Sequence, residues 1–349
     1  MEPVSLEPLA EVPVPAWVAA LPKADLHIHA EGEARLERVL ARERGCPPAD
    51  RRRWAAHLLG AVPPGMPRLL ALGDDRQLDR AAADALDALP GYFVACVAGL
   101  LEEGAAEGAL LIEVTFGAAT VLMPDFMALF REAERRAQAR YPGLRAEAII
   151  AGTKPAGQLW REVQLPACLA AAREGLAGIH ILPDSYITEM DWAPVYRWDE
   201  RAADAGLGIA AHAGEFAAAN IAAALRTPGL TRLGHAVYAA GDPRLLEQIA
   251  RSRVTVECSL SCNVVLGAVV SYEAHPIRQF VSAGIPVTLS TDDPVRVVTT
   301  IGREYAIAAA LGFGEGDLRG FTRDAVRASF APASRRAELL AEVGGGQEV

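Results

Sequence analysis

Lysine is nearly absent from this chain: among 34 basic residues only Lys23 and Lys154 are lysines, and the rest are arginine. No stretch gathers basic residues beside aromatics, aromatics make up 6% of the chain, and 44 acids against 34 bases leave a net charge of −10. Such a surface repels a phosphate backbone, so no nucleic-acid partner is expected. Long apolar runs are missing too, and Met1 to Pro22 has no basic segment leading into an apolar one, so neither a membrane partner nor a secretory leader is expected. Cysteine is scarce and odd in number: Cys46, Cys96, Cys168, Cys258 and Cys262 read as reduced thiols of a cytoplasmic protein, not as a disulfide framework. Internal repeats and linkers are also lacking, and nothing in the residues speaks to oligomeric state.

What the chain does have is apolar text in short, regular blocks. With 51% hydrophobic residues over 349 positions it can bury a large core, and one domain over residues 1–343 is the expectation, with a disordered tail over 344–349 where Gly344, Gly345 and Gly346 begin it. Pro3, Pro8, Pro13 and Pro15 suit an extended arm over residues 1–22. Ala24 to Ala30 reads as a first strand. Residues 33–107, rich in Ala, Leu and Arg, read as a helical cap, broken by Cys46-Pro47-Pro48 and by Val62-Pro63-Pro64-Gly65-Met66-Pro67.

Seven more apolar runs follow with helical text between them: Ala109 to Phe116, Glu147 to Thr153, Leu176 to Leu182, the stretch from Gly206 to Glu215, Thr231 to Tyr238, Val254 to Asn263 and Ile285 to Asp293. Eight strands alternating with helices predict an α/β fold, a (β/α)8 TIM-like barrel with the cap inserted after strand 1. Its active site is expected at the C-terminal strand ends. Residues from Glu304 to Leu340 read as helices packed outside.

Polar residues collect at those ends. A parallel strand buried on both faces tolerates such groups only at its tip, where they point out of the core. Strand 1 carries His27 and His29, two apart and so on one face, able to grip one metal ion. Strand 5 carries His212 and Glu215 with Gly214 between them, strand 6 carries His235, and strand 8 carries Asp292 and Asp293. Imidazoles and a carboxylate of this kind make a ligand set for zinc with a position left for water, whose pKa the metal lowers toward about 7. Glu215 is the candidate for shuttling protons. His57 in the cap and His275 before Pro276 read as helix-face and turn-capping residues, and Cys258 and Cys262 as packing residues.

The runs Pro22-Lys23-Ala24-Asp25-Leu26-His27-Ile28-His29, His212-Ala213-Gly214-Glu215, Arg232-Leu233-Gly234-His235, His275-Pro276 and Thr291-Asp292-Asp293-Pro294 resemble, in order and spacing over residues 20–310, the adenosine deaminase family of the amidohydrolase superfamily. The resemblance implies one zinc per chain held by His27, His29, His212 and Asp292, and a place in purine metabolism. It implies that Glu215 protonates ring nitrogen N1 as hydroxide attacks C6, that His235 orients or deprotonates the attacking water, that Asp293 hydrogen-bonds the ring at N7, and that ammonia leaves. The chemistry is consistent, because an aromatic C–NH₂ carbon is a poor electrophile until the adjacent nitrogen is protonated. The other zinc deaminase pattern, His-x-Glu with Pro-Cys-x-x-Cys, is absent.

Departures from the family pattern bear on the substrate. Glu31 stands where an Asp contacts ribose in adenosine deaminases, a variant associated with relatives acting on adenine or modified adenine nucleosides. In Gly178-Ile179-His180-Ile181-Leu182-Pro183-Asp184-Ser185, Pro183 replaces a Gly whose amide contacts the purine, and proline has no N–H to offer. His180 adds a new donor or acceptor on the same strand. Glu113-Val114-Thr115 replaces Glu-x-Arg, and Ser259-Leu260-Ser261-Cys262-Asn263 replaces Cys-Pro-x-Ser-Asn. The expected substrate is a small aminopurine-like molecule, with adenosine slow or inert. Two other readings remain open: an amidohydrolase acting on another C–N, amide or lactone bond, with two metals and a carboxylated Lys154, and a non-catalytic barrel binding protein.

Overall fold

Each strand pairs in parallel with the next in sequence, so each of the seven connections must return along the outside of the barrel, and helices make that return. The computed structural model describes residues 6–30, 38, 51–72, 91–155 and 157–344. The strands are β1 Lys23–His29, β2 Ala109–Phe116, β3 Arg145–Thr153, β4 Gly178–Leu182, β5 Gly208–Ala213, β6 Leu230–His235, β7 Thr255–Cys258 and β8 Val287–Leu289. Their order is β1 to β8. The seam closes just past β8, where His29 N–H donates to the Asp292 carbonyl and Asp292 N–H to the His27 carbonyl, both at 2.8 Å. The fold is the expected (β/α)8 barrel.

Glycines at the N-terminal end make room for a plug. A Cβ on Gly178 or Gly208 would come within 2.4 Å or 2.1 Å of the Phe330 ring, and the Arg232 guanidinium stacks over that ring at 3.7 Å. The C-terminal stretch thus does more than pack outside: helices Glu315–Ala328 and Ala333–Glu342 flank the wall, and the turn between them inserts Phe330.

Strand 7 is shorter than the sequence pattern suggests. It stops at Cys258, and Leu260–Leu266 is a helix ended by Gly267 at φ +76°. A short buried run without a clear period looks alike as strand or helix, which is why periodicity misassigns it. Strand 6 likewise ends at His235, where the backbone turns left-handed.

Within residues 33–107, helices Arg51–Ala61 and Met66–Leu72 pack on Leu260–Leu266 at the C-terminal face. Arg68 ties them there, donating to the carbonyls of Leu59, Val62 and Val265. Helix Tyr92–Ala106 instead packs on β2 and on helix Phe126–Gln138, as a wall helix does. The near end of the arm is anchored: Val18, in the single turn Ala16–Ala19, and Leu21 are buried. Among the described residues no helix is long and apolar enough to cross a membrane, and Cys96, Cys168, Cys258 and Cys262 are free thiols.

One buried acid stands apart from any function. Asp199, on helix Ala193–Asp204, is fully buried with neither carboxylate oxygen hydrogen-bonded. Burial, with a smaller contribution from Glu200, pushes its carboxyl up to about 7. The folded state therefore holds this proton more tightly than the unfolded chain does, and the stability so gained is lost as pH rises toward and through 7. Asp199→Asn should match the parent near pH 4 and exceed it above pH 7 by about 1 to 3 kcal/mol, the range for an unsatisfied buried group. Denaturant melts at both pH values measure this.

Candidate active site

The polar strand ends meet at one mouth. A cavity there is lined by His29, His212, Glu215, His235, Asp292 and Asp293, with Tyr186, Arg296 and three leucines, Leu69, Leu182 and Leu266. Local backbone explains how each polar group arrives. β1 carries an irregularity in its pairing between Asp25 and Ile28, the kind of bulge that re-aims a side chain, and His27 lies within it. Gly214 adopts φ +81°, turning the chain after His212 so that Glu215 faces the mouth; a Cβ there would strike Ile221 at 2.6 Å. Gly234 leaves space for the His27 ring, 3.0 Å from where its Cβ would be. His235 and Asp292 themselves sit at φ 65° and 63°, strained for residues with a Cβ.

Four of these groups form a metal-capable cluster. His27, His29, His212 and Asp292 offer donor atoms all within 4.8 Å of one another. His29 Nε2 lies 3.4 Å from Asp292 Oδ1, close to the roughly 3.3 Å between two ligands of a tetrahedral zinc with bonds of about 2.0 Å. The decisive atom is His27 Nε2, which is buried and has no hydrogen-bond partner. The other nitrogen of that ring, Nδ1, lies 3.0 Å from Glu257 Oε2. With Glu257 ionised beside Arg232 the carboxylate only accepts, so Nδ1 carries the proton and the Nε2 lone pair points into the cluster. Burial holds His27, His29 and His212 below the usual imidazole range, which keeps them neutral as ligands must be. These residues fit a divalent metal.

Behind His27 runs a line of buried charge. Glu257 Oε1 lies 2.8 Å from Arg232 Nε, and Arg232 also pairs with Glu113, which accepts from the Phe330 backbone N–H at 2.6 Å. Burial pushes Glu257 up to about 7, with Arg232 and then His29 pulling it back. When both carboxylates are ionised the trio carries one net negative charge beneath the cluster, a favourable setting for a cation.

Across the cavity, Glu215 is buried, and burial together with the neighbouring Asp293 charge pushes its carboxyl up to about 8. That shift favours the protonated carboxyl at neutral pH. His235 Nε2 lies 3.7 Å from Glu215 Oε2 and 3.8 Å from Asp292 Oδ2. Asp293 pairs with Arg296 at 3.1 Å.

The remaining candidates fall elsewhere. His180 is fully buried beneath the mouth, its ring 4.7 Å from His27 and 4.3 Å from His212, with Nε2 3.8 Å from Glu257; it does not line the cavity. Pro183 is buried next to cavity-lining Leu182. Glu31 lies outside the described residues, as do Cys46 and residues 345–349. Lys154 is exposed in a turn after β3, and His57 is exposed and stacked on Trp54. Glu257, Tyr186 and Arg296 were missed by sequence reasoning. For Glu257 there was a signal, a lone acid inside the apolar strand Thr255-Val256-Glu257-Cys258.

Comparison with known proteins gives a consistent answer. The family model for adenosine deaminase matches residues 93–345. An adenine deaminase of Rhizobium etli is 34% identical over 217 residues, covering 61% of this chain and 66% of that protein. An adenosine deaminase of Shewanella loihica is 39% identical over 140 residues, covering 40% and 42%. The matches thus span just under two thirds of the first relative and less than half of the second. Among solved structures, the adenine deaminase of Arthrobacter aurescens aligns with TM-score 0.69 at 22% identity over 93% of this chain and 98% of that one, a likeness of fold. Since the family model runs from the first wall helix through the last helix, the chain belongs to the adenosine deaminase family.

Proposed function

We propose that this protein is a zinc-dependent hydrolytic deaminase that converts the C–NH₂ group of a 6-aminopurine-type ring to C=O and releases ammonia, acting in the cytoplasm. The observation that carries the reading is the lone pair of His27 Nε2, buried and turned toward His29, His212 and Asp292, with the buried carboxyl of Glu215 on the other side of the same cavity. His27, His29, His212 and Asp292 hold one zinc, which when bound acts as a Lewis acid and makes water nucleophilic at neutral pH. Glu215 gives its proton to the ring nitrogen beside the reacting carbon, drawing electrons from that carbon. His235 positions the attacking water, and Asp293, braced by Arg296, takes the N7 edge of the ring. Leu69 of the short helix Met66–Leu72, with Leu182 and Leu266, gives the mouth an apolar side that limits the access of bulk water.

The substrate departs from plain adenosine. Pro183 offers no amide to the ring, and a ligand relying on that donor would bury an unpaired acceptor at a cost of about 1 to 3 kcal/mol. The relatives named for adenine deamination suit a substrate that lacks an ordinary ribose. Free adenine or an aminopurine with another substituent is therefore preferred.

Four outcomes are expected. Protein purified without added metal contains about one zinc equivalent per chain by elemental analysis; two equivalents would support a binuclear site instead. Glu215→Gln keeps that metal and loses about 10²-fold or more in kcat, and retained turnover would remove the proton-transfer role. In a panel of aminopurines and nucleosides followed by ammonia release, adenosine is not the best substrate, and a kcat/KM for it above about 10⁵ M⁻¹s⁻¹ would contradict the substrate assignment. A further variant, Glu257→Gln, loosens the metal by about 10- to 100-fold in a chelator competition, since the His27 tautomer is no longer imposed.

A further inference from the structure

A chain of polar groups outside the cavity ends on His235. It starts at the backbone N–H of Ile277, the first residue of helix Ile277–Ser282, which donates to His275 Nδ1 at 3.2 Å. A backbone N–H has one polarity, and a neutral imidazole has one ring proton, so His275 carries its proton on Nε2. Burial pushes the His275 pKa down to about 3, and the ring is neutral. Its Nε2 lies 3.2 Å from Asn263 Oδ1, to which it donates. An amide whose oxygen accepts on one side presents its NH₂ on the other, and Asn263 Nδ2 lies 3.1 Å from His235 Nδ1. The amide nitrogen can only donate. His235 Nδ1 therefore accepts, and the remaining ring proton sits on Nε2, facing Glu215 and Asp292. Turning the amide over would drive the His275 proton onto Nδ1, against the Ile277 N–H.

We infer that Asn263 and His275 are positioning residues that hold His235 as the Nε2–H tautomer, so that His235 donates a hydrogen bond to the attacking water and does not take its proton. The catalytic part of this inference rests on the deaminase reading. With Nδ1 occupied by the Asn263 amide and Nε2 already protonated, neutral His235 has no lone pair free for a proton. The acceptor is then Glu215. It gives its proton to the ring nitrogen, and as a carboxylate it takes one proton from the water whose oxygen bonds to the ring carbon. The second water proton leaves on the amino group as ammonia when the C–N bond breaks, and Glu215 ends protonated as it began.

The test reads the tautomer directly. Metal-containing enzyme labelled with ring-¹⁵N histidine gives long-range ¹H–¹⁵N spectra that distinguish the two neutral forms, with His235 and His275 assigned by the signals missing in His235→Gln and His275→Gln. Both rings are expected as Nε2–H. In Asn263→Asp the carboxylate can only accept, so the His235 hydrogen moves to Nδ1; kcat falls about 10-fold or more, KM for adenine stays within about 3-fold, and the metal content is unchanged. An Nδ1–H pattern for His235 in the unsubstituted enzyme overturns the inference whether or not the variant folds. Loss of the Nε2 hydrogen in Asn263→Asp with unchanged kcat overturns it as well. Because the spectra need no substrate, inactivity toward every aminopurine would defeat the deaminase reading while the tautomer still decides this one.

Discussion

A charge sealed inside a barrel has to be answered by another, and here the answer extends from the floor to the mouth. The Phe330 N–H meets Glu113, Glu113 meets Arg232, Arg232 meets Glu257, and Glu257 accepts a hydrogen bond from His27 Nδ1. Buried ion pairs of this kind seldom add much stability, because desolvation opposes the Coulombic gain. What this line supplies is direction. It sets the tautomer of His27, aims one lone pair at the metal-capable cluster, and ties that aim to the packing of Phe330 against two glycines at the opposite end. Removing Arg232, which both carboxylates share, would leave Glu113 and Glu257 without their cation in a medium where that is costly.

The site is also built into the closure of the barrel. The hydrogen bonds that join β1 to the segment after β8 run between His27, His29 and Asp292, so three of the four clustered groups are held by the seam itself. Strain accompanies this placement: Asp292 and His235 occupy left-handed backbone at a cost of order 1 to 3 kcal/mol each, and the packed barrel around them holds them there. Glycine supplies the remaining freedom at positions 214 and 234, once for a turn and once for a ring.

On the opposite wall of the cavity, polar positioning comes through hydrogen bonds instead of charge. Asn263 lies on a helix that begins two residues after β7, and His275 lies just before the next helix, so neither belongs to a strand end. Two histidines are thus set by different means, His27 by a carboxylate and His235 by an amide whose orientation a backbone N–H dictates. Both have their pKa values lowered by burial, which leaves the neutral tautomer as the variable that matters.

By itself the sequence determined the eight-strand alternation and the placement of His27, His29, His212, Glu215, His235, Asp292 and Asp293 together at the C-terminal strand ends. These were legible because polar side chains at the tips of apolar strands have few other uses, and because two residues apart on a strand means one face. Only the tertiary structure decided that His180 lies under the cluster and not in the cavity, that Leu260–Leu266 is a helix, that Phe330 closes the floor, and that Glu257, Arg232, Asn263 and His275 govern the imidazoles. The physical reason is distance along the chain: His27 and Glu257 are 230 residues apart, Arg232 and Glu113 are 119 apart, and a hydrogen bond between such groups leaves no period or motif in the local text. Periodicity reports which way a side chain faces; which partner it meets, and on which atom the proton rests, is settled only when the barrel closes.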